Sequence, residues 1–361
     1  MNGFKSEKEF MEGISIPQYE DILSALSTYD IHPSGTIKLI DSSHDAEDIR
    51  LNYIIENRWV LRFCNIFNMT EQRLNDLYRL IERYREAEIL CPQFIRNAQG
   101  QFLSKWHQMV CYLSEYIDKP IASDETILDE DALVLEVGKS VARFAEKHRN
   151  IDLSETMGMY SLFDLCPFDI PIGIDEKEDN FNQLISLLRD IGEDRLVDKL
   201  VSKHMNIRKN LKAIYKDLPR CVFQGDENFS NVLIDDKQHF VGFIDFNLSG
   251  TEVIVNQLAN LAGFDYDEKQ EKQEGAQNRL NYALDYFRRH VENMLRSYHA
   301  SAQELQALCW YAWIVMVAQW PTLCYFRDCI NGELKGEILE MLSLIADIPE
   351  EQLLSDIWMS I

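Results

Sequence analysis

A Gly-Asp loop followed by a short hairpin is the feature that most limits how this 361-residue chain can fold. An apolar stretch at residues 221–224 ends in the loop, and residues 235–237 (Asp-Asp-Lys) form a turn signal between two further apolar runs. Pairing of those two runs would bring the ends of the hairpin together. We therefore expect Asp226, Asn231 and Asp245 to converge at one end of it.

Side chains of these three types, in this order, are the minimal apparatus for phosphoryl transfer. The Asp226 carboxylate can orient an acceptor hydroxyl and accept its proton, while the oxygens of Asn231 and Asp245 can hold magnesium against nucleotide phosphates. The reaction asks little covalent chemistry of the protein, because positioning and electrostatic stabilisation carry most of it. Each residue alone also fits an ordinary turn or strand end, so the combination and its order favour a kinase.

Composition excludes several other classes of protein. The formal net charge of −24 argues against a nucleic-acid partner. No apolar run approaches the roughly 20 residues of a membrane span, and the first residues lack a signal-peptide core. None of the eight cysteines are paired as Cys-x-x-Cys. We expect a globular cytosolic protein with reduced cysteines that binds neither nucleic acid nor a membrane.

The hydrophobic period changes along the chain and predicts an α+β, two-lobed architecture. A short helix is expected at residues 17–29, and an Asn68–Glu71 cap pair opens a longer one that ends near residue 87. The first part of the chain is otherwise rich in predicted strands, at residues 36–40, 49–55, 59–64, 94–95, 102–103 and 109–117. After residue 120 helical patterns dominate, at residues 129–148, 180–191, 194–215 and from about 256 onward. A small antiparallel-sheet lobe with one main helix thus precedes a larger, mostly helical lobe.

The motif resembles that of the aminoglycoside phosphotransferase and choline kinase-like family, which phosphorylates small molecules. The resemblance rests on Gln224-Gly225-Asp226, then Asn231-Val232-Leu233 after four residues, then Ile244-Asp245-Phe246. The family's usual form begins His-Gly-Asp, so Gln224 is a departure. The resemblance implies a bilobal protein-kinase-like fold, with residues 1–115 as the nucleotide-binding lobe. Residues 116–361 would then form the helical lobe with the catalytic loop and acceptor site.

The resemblance also implies roles for individual residues and for ATP and Mg²⁺. Asp226 would be the catalytic base, or the residue that orients the acceptor hydroxyl, and Asn231 and Asp245 would be the magnesium ligands. Backbone groups near Glu115 and Ile117, in the segment similar to the family's hinge strand, would bind adenine.

The residues expected to bind the nucleotide depart further from the family pattern. Arg62 stands where the family has Lys, and strand alternation puts it on the same face as Val60, as an adenine ceiling and a phosphate contact require. A partly buried salt bridge is the alternative interpretation of Arg62. The candidates for its acidic partner are Glu71, Asp76 and Glu82.

The segment that should cover the phosphates, residues 41–48, contains no glycine. Ser42, Ser43 and His44 could donate side-chain hydrogen bonds in place of backbone amides. Three acids of the segment would repel a triphosphate if they faced it: Asp45, Glu47 and Asp48. Asn256 also stands where the family commonly has Asp. A kinase-fold protein that binds nucleotide or ligand with weak or no turnover is therefore the alternative to an active kinase.

The acceptor is expected to be a small molecule bound in the helical lobe. Residues 1–118 carry a net charge of −6, which leaves −18 for the rest of the chain and favours a cationic acceptor; solubility alone is the competing explanation. Tryptophans and acids of this region could recognise an aminoglycoside, a choline-like ammonium or an amino alcohol. Trp310 and Trp313 are better explained as core residues, since their helical neighbours are apolar.

Overall fold

The structure is a computed structural model that describes residues 16–43, 48–66, 69–123, 126–264, 266 and 272–354. The predicted loop residues His44, Asp45 and Glu47 and the predicted cap Asn68 lie outside these ranges. The chain divides into two compact units. The first comprises Met1–Ala122, Phe229–Lys237 and Val241–Ile244, and the second Ser123–Asn228, Gln238–Phe240 and Asp245–Ile361.

The first unit contains a six-stranded antiparallel sheet made of β1 (Ile37–Asp41), β2 (Arg50–Ile55), β3 (Trp59–Cys64), β4 (Phe94–Ile95), β5 (Leu103–Trp106) and β6 (Met109–Glu115). The strand order is β1-β2-β3-β6-β4, with β5 paired to β6. Helix α1 (Tyr19–Ser27) and helix α2 (Glu71–Glu86) belong to the same unit. The predicted antiparallel sheet with one main helix is confirmed.

Alternation along the central strands builds the core of this unit. Leu61 and Phe63 of β3 are fully buried, while Arg62 between them is only partly buried. The ring of Phe63 meets Tyr53 of β2 edge-on at 5.8 Å and Trp106 of β5 at 5.4 Å. Leu26 of α1 joins the same buried cluster, so one apolar face of the sheet is covered by the short N-terminal helix.

The N-cap of helix α2 lies two residues after Asn68, the cap that the sequence pattern predicted. Its N-cap is Thr70, whose side chain accepts a hydrogen bond from the Arg73 N–H at 3.1 Å. Glu71 is the first helical residue, and its carboxylate accepts from the backbone N–H groups of Phe102 and Leu103 at 2.9–3.1 Å. The Glu71 carboxylate therefore holds the backbone at the start of β5. It does not pair with an N-cap residue as the sequence pattern predicted.

The predicted hairpin is present as β8 (Val232–Ile234) and β9 (Phe240–Phe243). Leu90, also in the first unit, bonds to strand β9 through its backbone. Its N–H donates to the Val241 carbonyl at 2.8 Å, and its carbonyl accepts from the Phe243 N–H at 2.9 Å. A Cβ atom on Gly242 would lie 1.9 Å from the Leu90 carbonyl oxygen. Only glycine allows this close approach of two backbones.

The second unit is mostly helical. Its helices are α3 (Glu130–His148), α4 (Glu176–Asp190), α5 (Asp194–Ile214), α6 (Ile254–Ala262), α7 (Ala276–Leu295), α8 (Ala302–Ala318), α9 (Trp320–Ile330) and α10 (Lys335–Asp347). One small antiparallel pair, β7 (Arg220–Phe223) with β10 (Gly250–Val253), accompanies them. The sequence pattern had not predicted β10. Helix α4 begins earlier than predicted because Asp175 caps it, accepting a hydrogen bond from the Glu178 N–H.

Helix α8 is the centre of this unit and is buried on nearly all sides. Trp313 is fully buried, and its indole N–H donates to the Ile345 carbonyl at 3.1 Å, which confirms core packing for this residue. Trp310 is only partly buried. Within the described ranges, no single helix has the length and hydropathy to cross a membrane; α8 and α9 meet the test only as a pair bent by 43°.

Candidate active site

The side chain of Gln224 ties together the two acidic positions of the motif in the second unit. Its Oε1 accepts from the Asp226 backbone N–H at 2.7 Å, and its Nε2 donates to the Asp245 backbone carbonyl at 2.5 Å. Gln224 is itself completely buried at the end of β7, and its own carbonyl accepts from the Ser249 hydroxyl at 3.0 Å. The amide therefore fixes the backbone at both Asp226 and Asp245.

Gly225 makes the turn between Gln224 and Asp226 possible. Its φ of +83° lies in the left-handed region that side chains disfavour. A Cβ atom there would lie 2.7 Å from the Leu248 carbonyl oxygen. Both the conformation and the available space at this position require glycine.

The two carboxylates have partners that set their orientation. The Asn228 side-chain amide donates to Oδ1 of Asp226. Asp245 has a φ of +53°, uncommon for a residue with a side chain, and its Oδ1 accepts from the Asn247 N–H at 3.2 Å.

Asn231 lies in the first unit, at the end of the 3₁₀ turn Phe229–Asn231 that leads into β8. Its side chain is 8% exposed. Its backbone carbonyl accepts from the Ile244 N–H at 2.9 Å, also within the first unit. The hairpin β8–β9 therefore brings Ile244 back to Asn231 within the first unit. The convergence of Asp226, Asn231 and Asp245 stays a prediction.

On the sheet of the first unit, Arg62 forms a polar cluster with two residues on neighbouring strands. Its Nε donates to Asn52 Oδ1 at 2.6 Å, and its Nη1 donates to the Tyr112 hydroxyl at 3.3 Å. Asn52 in turn donates from Nδ2 to the Ser42 hydroxyl at 3.3 Å. Sequence reasoning missed Asn52; the signal was a single amide between the apolar neighbours Leu51 and Tyr53.

Ser43 and Asp48 are engaged locally. The Ser43 hydroxyl accepts from the Arg50 N–H at 2.9 Å, which leaves its own hydrogen for donation. Asp48 pairs with the Arg50 side chain at 2.7 Å.

The three candidate acidic partners of Arg62 have other contacts. Glu71 binds backbone N–H groups as described above, and Glu82 accepts from Gln93 at 2.5 Å. Asp76 accepts from Arg79 at 2.7 Å and from Gln72 at 2.9 Å. The pairing of Arg62 with one of these acids stays a prediction.

The residues predicted to bind adenine lie at the end of β6 and just after it. The Glu115 N–H donates to the Gln93 carbonyl at 2.9 Å, and the Glu115 side chain pairs with Arg85 at 2.6 Å. Ile117 accepts from Lys119 through its carbonyl, and no acceptor for its N–H is found among the described residues. Val60 on β3 pairs in register with Ser114 of β6.

Two further acids of the second unit, Glu227 in the loop and Glu252 on β10, have raised pKa values. Burial raises the pKa of Glu227, the residue after Asp226, to about 7, and the Asp226 charge adds to the effect. Burial likewise raises the pKa of Glu252 on β10 to about 8. Asn256, where an acid was expected from the family pattern, donates to the Tyr160 carbonyl at 2.7 Å.

Comparison with known proteins gives the family and the fold of the chain. A profile described as the phosphotransferase enzyme family (APH) matches residues 42–290, more than half of the chain. A search of curated proteins found no match.

Solved structures give similar folds at low sequence identity. The amicoumacin kinase hAmiN, in complex with AMP-PNP, Ca²⁺ and Ami, aligns at a TM-score of 0.54 and 13% identity over 96% of this chain and 99% of the other. A microcompartment-associated aminopropanol kinase aligns at 0.51 and 12% identity over 94% and 98%. The spectinomycin phosphotransferase APH(9)-Ia, in complex with ADP and spectinomycin, aligns at 0.50 and 14% identity over 92% and 99%. Identities this low establish the protein-kinase-like fold alone.

Proposed function

We propose a specific reaction for this chain, which belongs to the APH phosphotransferase enzyme family and is a small-molecule kinase. The reaction is the transfer of the γ-phosphoryl group of ATP, with magnesium, to a hydroxyl of a small acceptor. The single observation that carries it is the Gln224 amide, which holds the backbones of Asp226 and Asp245 from one side chain. These bonds hold the backbone at both acidic positions in one fixed arrangement, as phosphoryl transfer requires of its catalytic groups.

The acceptor hydroxyl is oriented by the Asp226 carboxylate, which takes its proton as the oxygen attacks the γ-phosphorus. The P–O bond to the β-phosphate breaks, and ADP leaves with the bonding electrons. The Asn228 amide keeps one oxygen of Asp226 in place. Preorganised groups of this kind lower the barrier without reorganising during the reaction.

Asn231 and Asp245 are the proposed magnesium ligands. An amide oxygen and a carboxylate are hard oxygen donors of the type that Mg²⁺ prefers, so the donor set fits this metal. Magnesium, when bound with the nucleotide, would neutralise charge on the β- and γ-phosphates.

The nucleotide is proposed to bind to the sheet unit. The Ile117 N–H, together with backbone groups near Glu115, would bind adenine, and Val60 would cover it. Arg62, positioned by Asn52, would contact phosphate as a bidentate donor. The hydroxyls of Ser42 and Ser43 retain hydrogens for the same phosphates.

The acceptor is proposed to be an aminoglycoside-, choline- or homoserine-like molecule. The net charge of −18 on residues 119–361 favours a cationic ligand for the second unit. Two of the structurally similar proteins act, by their descriptions, on amicoumacin and aminopropanol. Their folds support a hydroxylated small molecule here without identifying it.

The test is a phosphorylation screen with ATP and Mg²⁺ over aminoglycosides, choline, homoserine, amino alcohols and sugar alcohols. Wild type is compared with Asp226→Asn, which keeps the size of the side chain and removes the base. The variant should lose about 10²–10⁴-fold in rate, as expected for loss of a general base. Equal product formation by both proteins removes Asp226 from the mechanism.

The alternative function is nucleotide or ligand binding with weak or no turnover. It is favoured by the glycine-free segment 41–48 and by the engagement of Arg62 with Asn52 and Tyr112. Thermal stabilisation by ATP separates the two functions. A shift that requires Mg²⁺ supports the kinase, whereas stabilisation independent of the metal, without product in the screen, supports the binding protein.

A further inference from the structure

A cavity of about 470 Å³ lies in the second unit, between helix α5 and the segment that leads into helix α4. None of the described residues that we assign to phosphoryl transfer lines it. Its apolar lining residues are Leu162, Phe163, Leu165 and Ile174. Small-molecule sites have volumes of this order and combine an apolar lining with a few fixed polar groups, so this cavity has the size and the lining of a ligand site.

A buried ion pair holds the wall of the cavity. Asp175, the N-cap of α4, is 3% exposed and accepts from both terminal nitrogens of Arg208 on α5, at 2.5 and 3.2 Å. The Nε of Arg208 lies 3.1 Å from Oε2 of Glu178. Bidentate pairing of a guanidinium with a carboxylate fixes their relative orientation. The cavity is therefore preformed, and Arg208 is occupied by the two acids of its lining.

Two further cations line the cavity without an acidic partner. Lys209 and Lys212 are exposed, and in the part of the chain that the structure describes neither forms an ion pair. The Lys212 ammonium lies 5.7 Å from the centroid of the Phe163 ring, so charge and apolar lining adjoin. Three cations against two acids leave one positive charge in excess in this lining, although the whole chain has a formal net charge of −24.

The spacing of these cations on α5 is unfavourable without an anion. Lys212 follows Arg208 by four residues and Lys209 by three, and like charges at these spacings destabilise a helix. The C-terminus of a helix favours a cation in its last turn, which accounts for Lys212 alone. A negative group beside the two lysines would relieve the repulsion.

Apolar surface continues along the segment that leads into α4. Ile170 and Ile172 are 63% and 60% exposed. The N–H groups of Ile172 and Gly173 both donate to the Asp169 carbonyl, at 3.0 and 2.8 Å, so this turn has a defined backbone. Gly173 itself lines the cavity. Exposed apolar side chains therefore lie next in the chain to the cavity lining.

We propose that this cavity binds a small organic anion, with its charged group at Lys209 and Lys212 and its apolar body against Phe163. The excess of one positive charge favours a ligand with a single carboxylate, sulfonate or phosphate charge, and the apolar lining favours a hydrophobic body. This inference goes beyond the proposed function, since binding here requires neither nucleotide nor turnover.

The experiment uses two fluorescent probes that share an aromatic body and differ in charge. 8-Anilinonaphthalene-1-sulfonate carries a sulfonate, and N-phenyl-1-naphthylamine lacks it. Each probe is titrated into the full chain without nucleotide and at low ionic strength, where charges are least screened. The wild type should bind the sulfonate saturably, at one site per chain, and more tightly than the neutral probe.

Reversal of both lysine charges tests the position of the anion. Lys209→Glu combined with Lys212→Glu should weaken binding of the sulfonate by about tenfold or more, the sum of two exposed charge interactions and the repulsion that replaces them. Binding of the neutral probe should not change. Lys209→Gln combined with Lys212→Gln, which removes charge without adding any, should give a smaller loss in the same direction.

The matched control is Lys139→Glu combined with Lys147→Glu on α3. Both of these lysines are exposed, neither has an ion pair among the described residues, and Lys147 lies in the last turn of its helix as Lys212 does. The control should bind the sulfonate as wild type does. Equal weakening by the two reversals, absence of saturable binding, or binding that the cavity variants leave unchanged would overturn the inference. Each of these results leaves the kinase proposal standing.

Discussion

The side-chain amide of Gln224 donates to the backbone carbonyl of Asp245, 21 positions along the chain. The same side chain accepts from the Asp226 N–H. One neutral residue thereby sets the separation of the proposed base from a proposed metal ligand. A buried amide that makes both of these bonds stabilises them in a low-dielectric interior.

Replacement of Gln224 by Ala should impair activity more than folding. Loss of the two hydrogen bonds should lower stability by about 1–3 kcal/mol, and the freed backbones should reduce kcat by about 10- to 100-fold. Urea unfolding and steady-state kinetics measure the two effects. Gln183→Ala is the control, since Gln183 is an exposed helical residue whose side chain donates to Asp179. If kcat is unchanged while stability falls, the link is purely structural.

Gly225→Ala should destabilise the protein more than Gly173→Ala does. Both glycines have a φ of +83°, but nothing lies within 4 Å of a Cβ at Gly173, whereas the Leu248 carbonyl oxygen would lie 2.7 Å away at Gly225. The left-handed conformation alone should cost about 1 kcal/mol, and the clash should add to it. Chemical denaturation of both variants isolates the second contribution. Equal destabilisation would show that the loop relaxes away from Leu248.

Local patterns predicted most of the fold. The strand Trp59–Cys64 and the helix Glu130–His148 follow from the period of their apolar residues. The strand Gly250–Val253 escaped prediction because four residues carry little periodic signal and its pairing with Arg220–Phe223 is non-local. The β-propensity of single residues does not show which distant segments pair with each other.

The candidate site divides in the same way. Order and spacing singled out Asp226, Asn231 and Asp245, and their proposed roles stay predictions. The two links of Gln224, and the Asn52 bridge between Arg62 and Ser42, join segments distant in sequence. Hydrogen bonds between side chains and distant segments are seen only in the folded structure, because the sequence does not show which groups come within bonding distance.

Arg62 should contribute to nucleotide binding, and Lys should replace it poorly. Its guanidinium is positioned by Asn52 and Tyr112, contacts that an ammonium on a flexible stem does not reproduce. Arg62→Lys should raise the KM for ATP by about tenfold, the effect of one charged hydrogen bond, and Arg62→Met more. Arg58→Lys, on the turn before β3, is the control. An unchanged KM in Arg62→Met would favour the purely structural interpretation of this residue.

Stability should fall as the pH rises from about 5 to about 8, because of buried carboxyls in the second unit. Glu252 accepts from the Val253 N–H at 2.6 Å, while its Oε2 has no hydrogen-bond partner among the described residues. Burial raises its pKa to about 8, and that of Glu227 to about 7, from an ordinary value of 4.5. Because these folded-state pKa values are raised, the stability they contribute is complete below pH 4.5 and is lost as the pH passes through 7–8.

Glu252→Gln should therefore flatten this pH dependence. Each carboxyl contributes a slope of at most about 1.4 kcal/mol per pH unit between its unfolded and folded pKa values. Urea denaturation at pH 5.5, 7 and 8.5 measures the slope in both proteins. The variant should be closer to wild type at pH 5.5 and relatively more stable at pH 8.5, since Gln cannot ionise. Parallel curves for the two proteins would mean that Glu252 ionises normally in the folded state, so that burial at β10 does not hold it neutral.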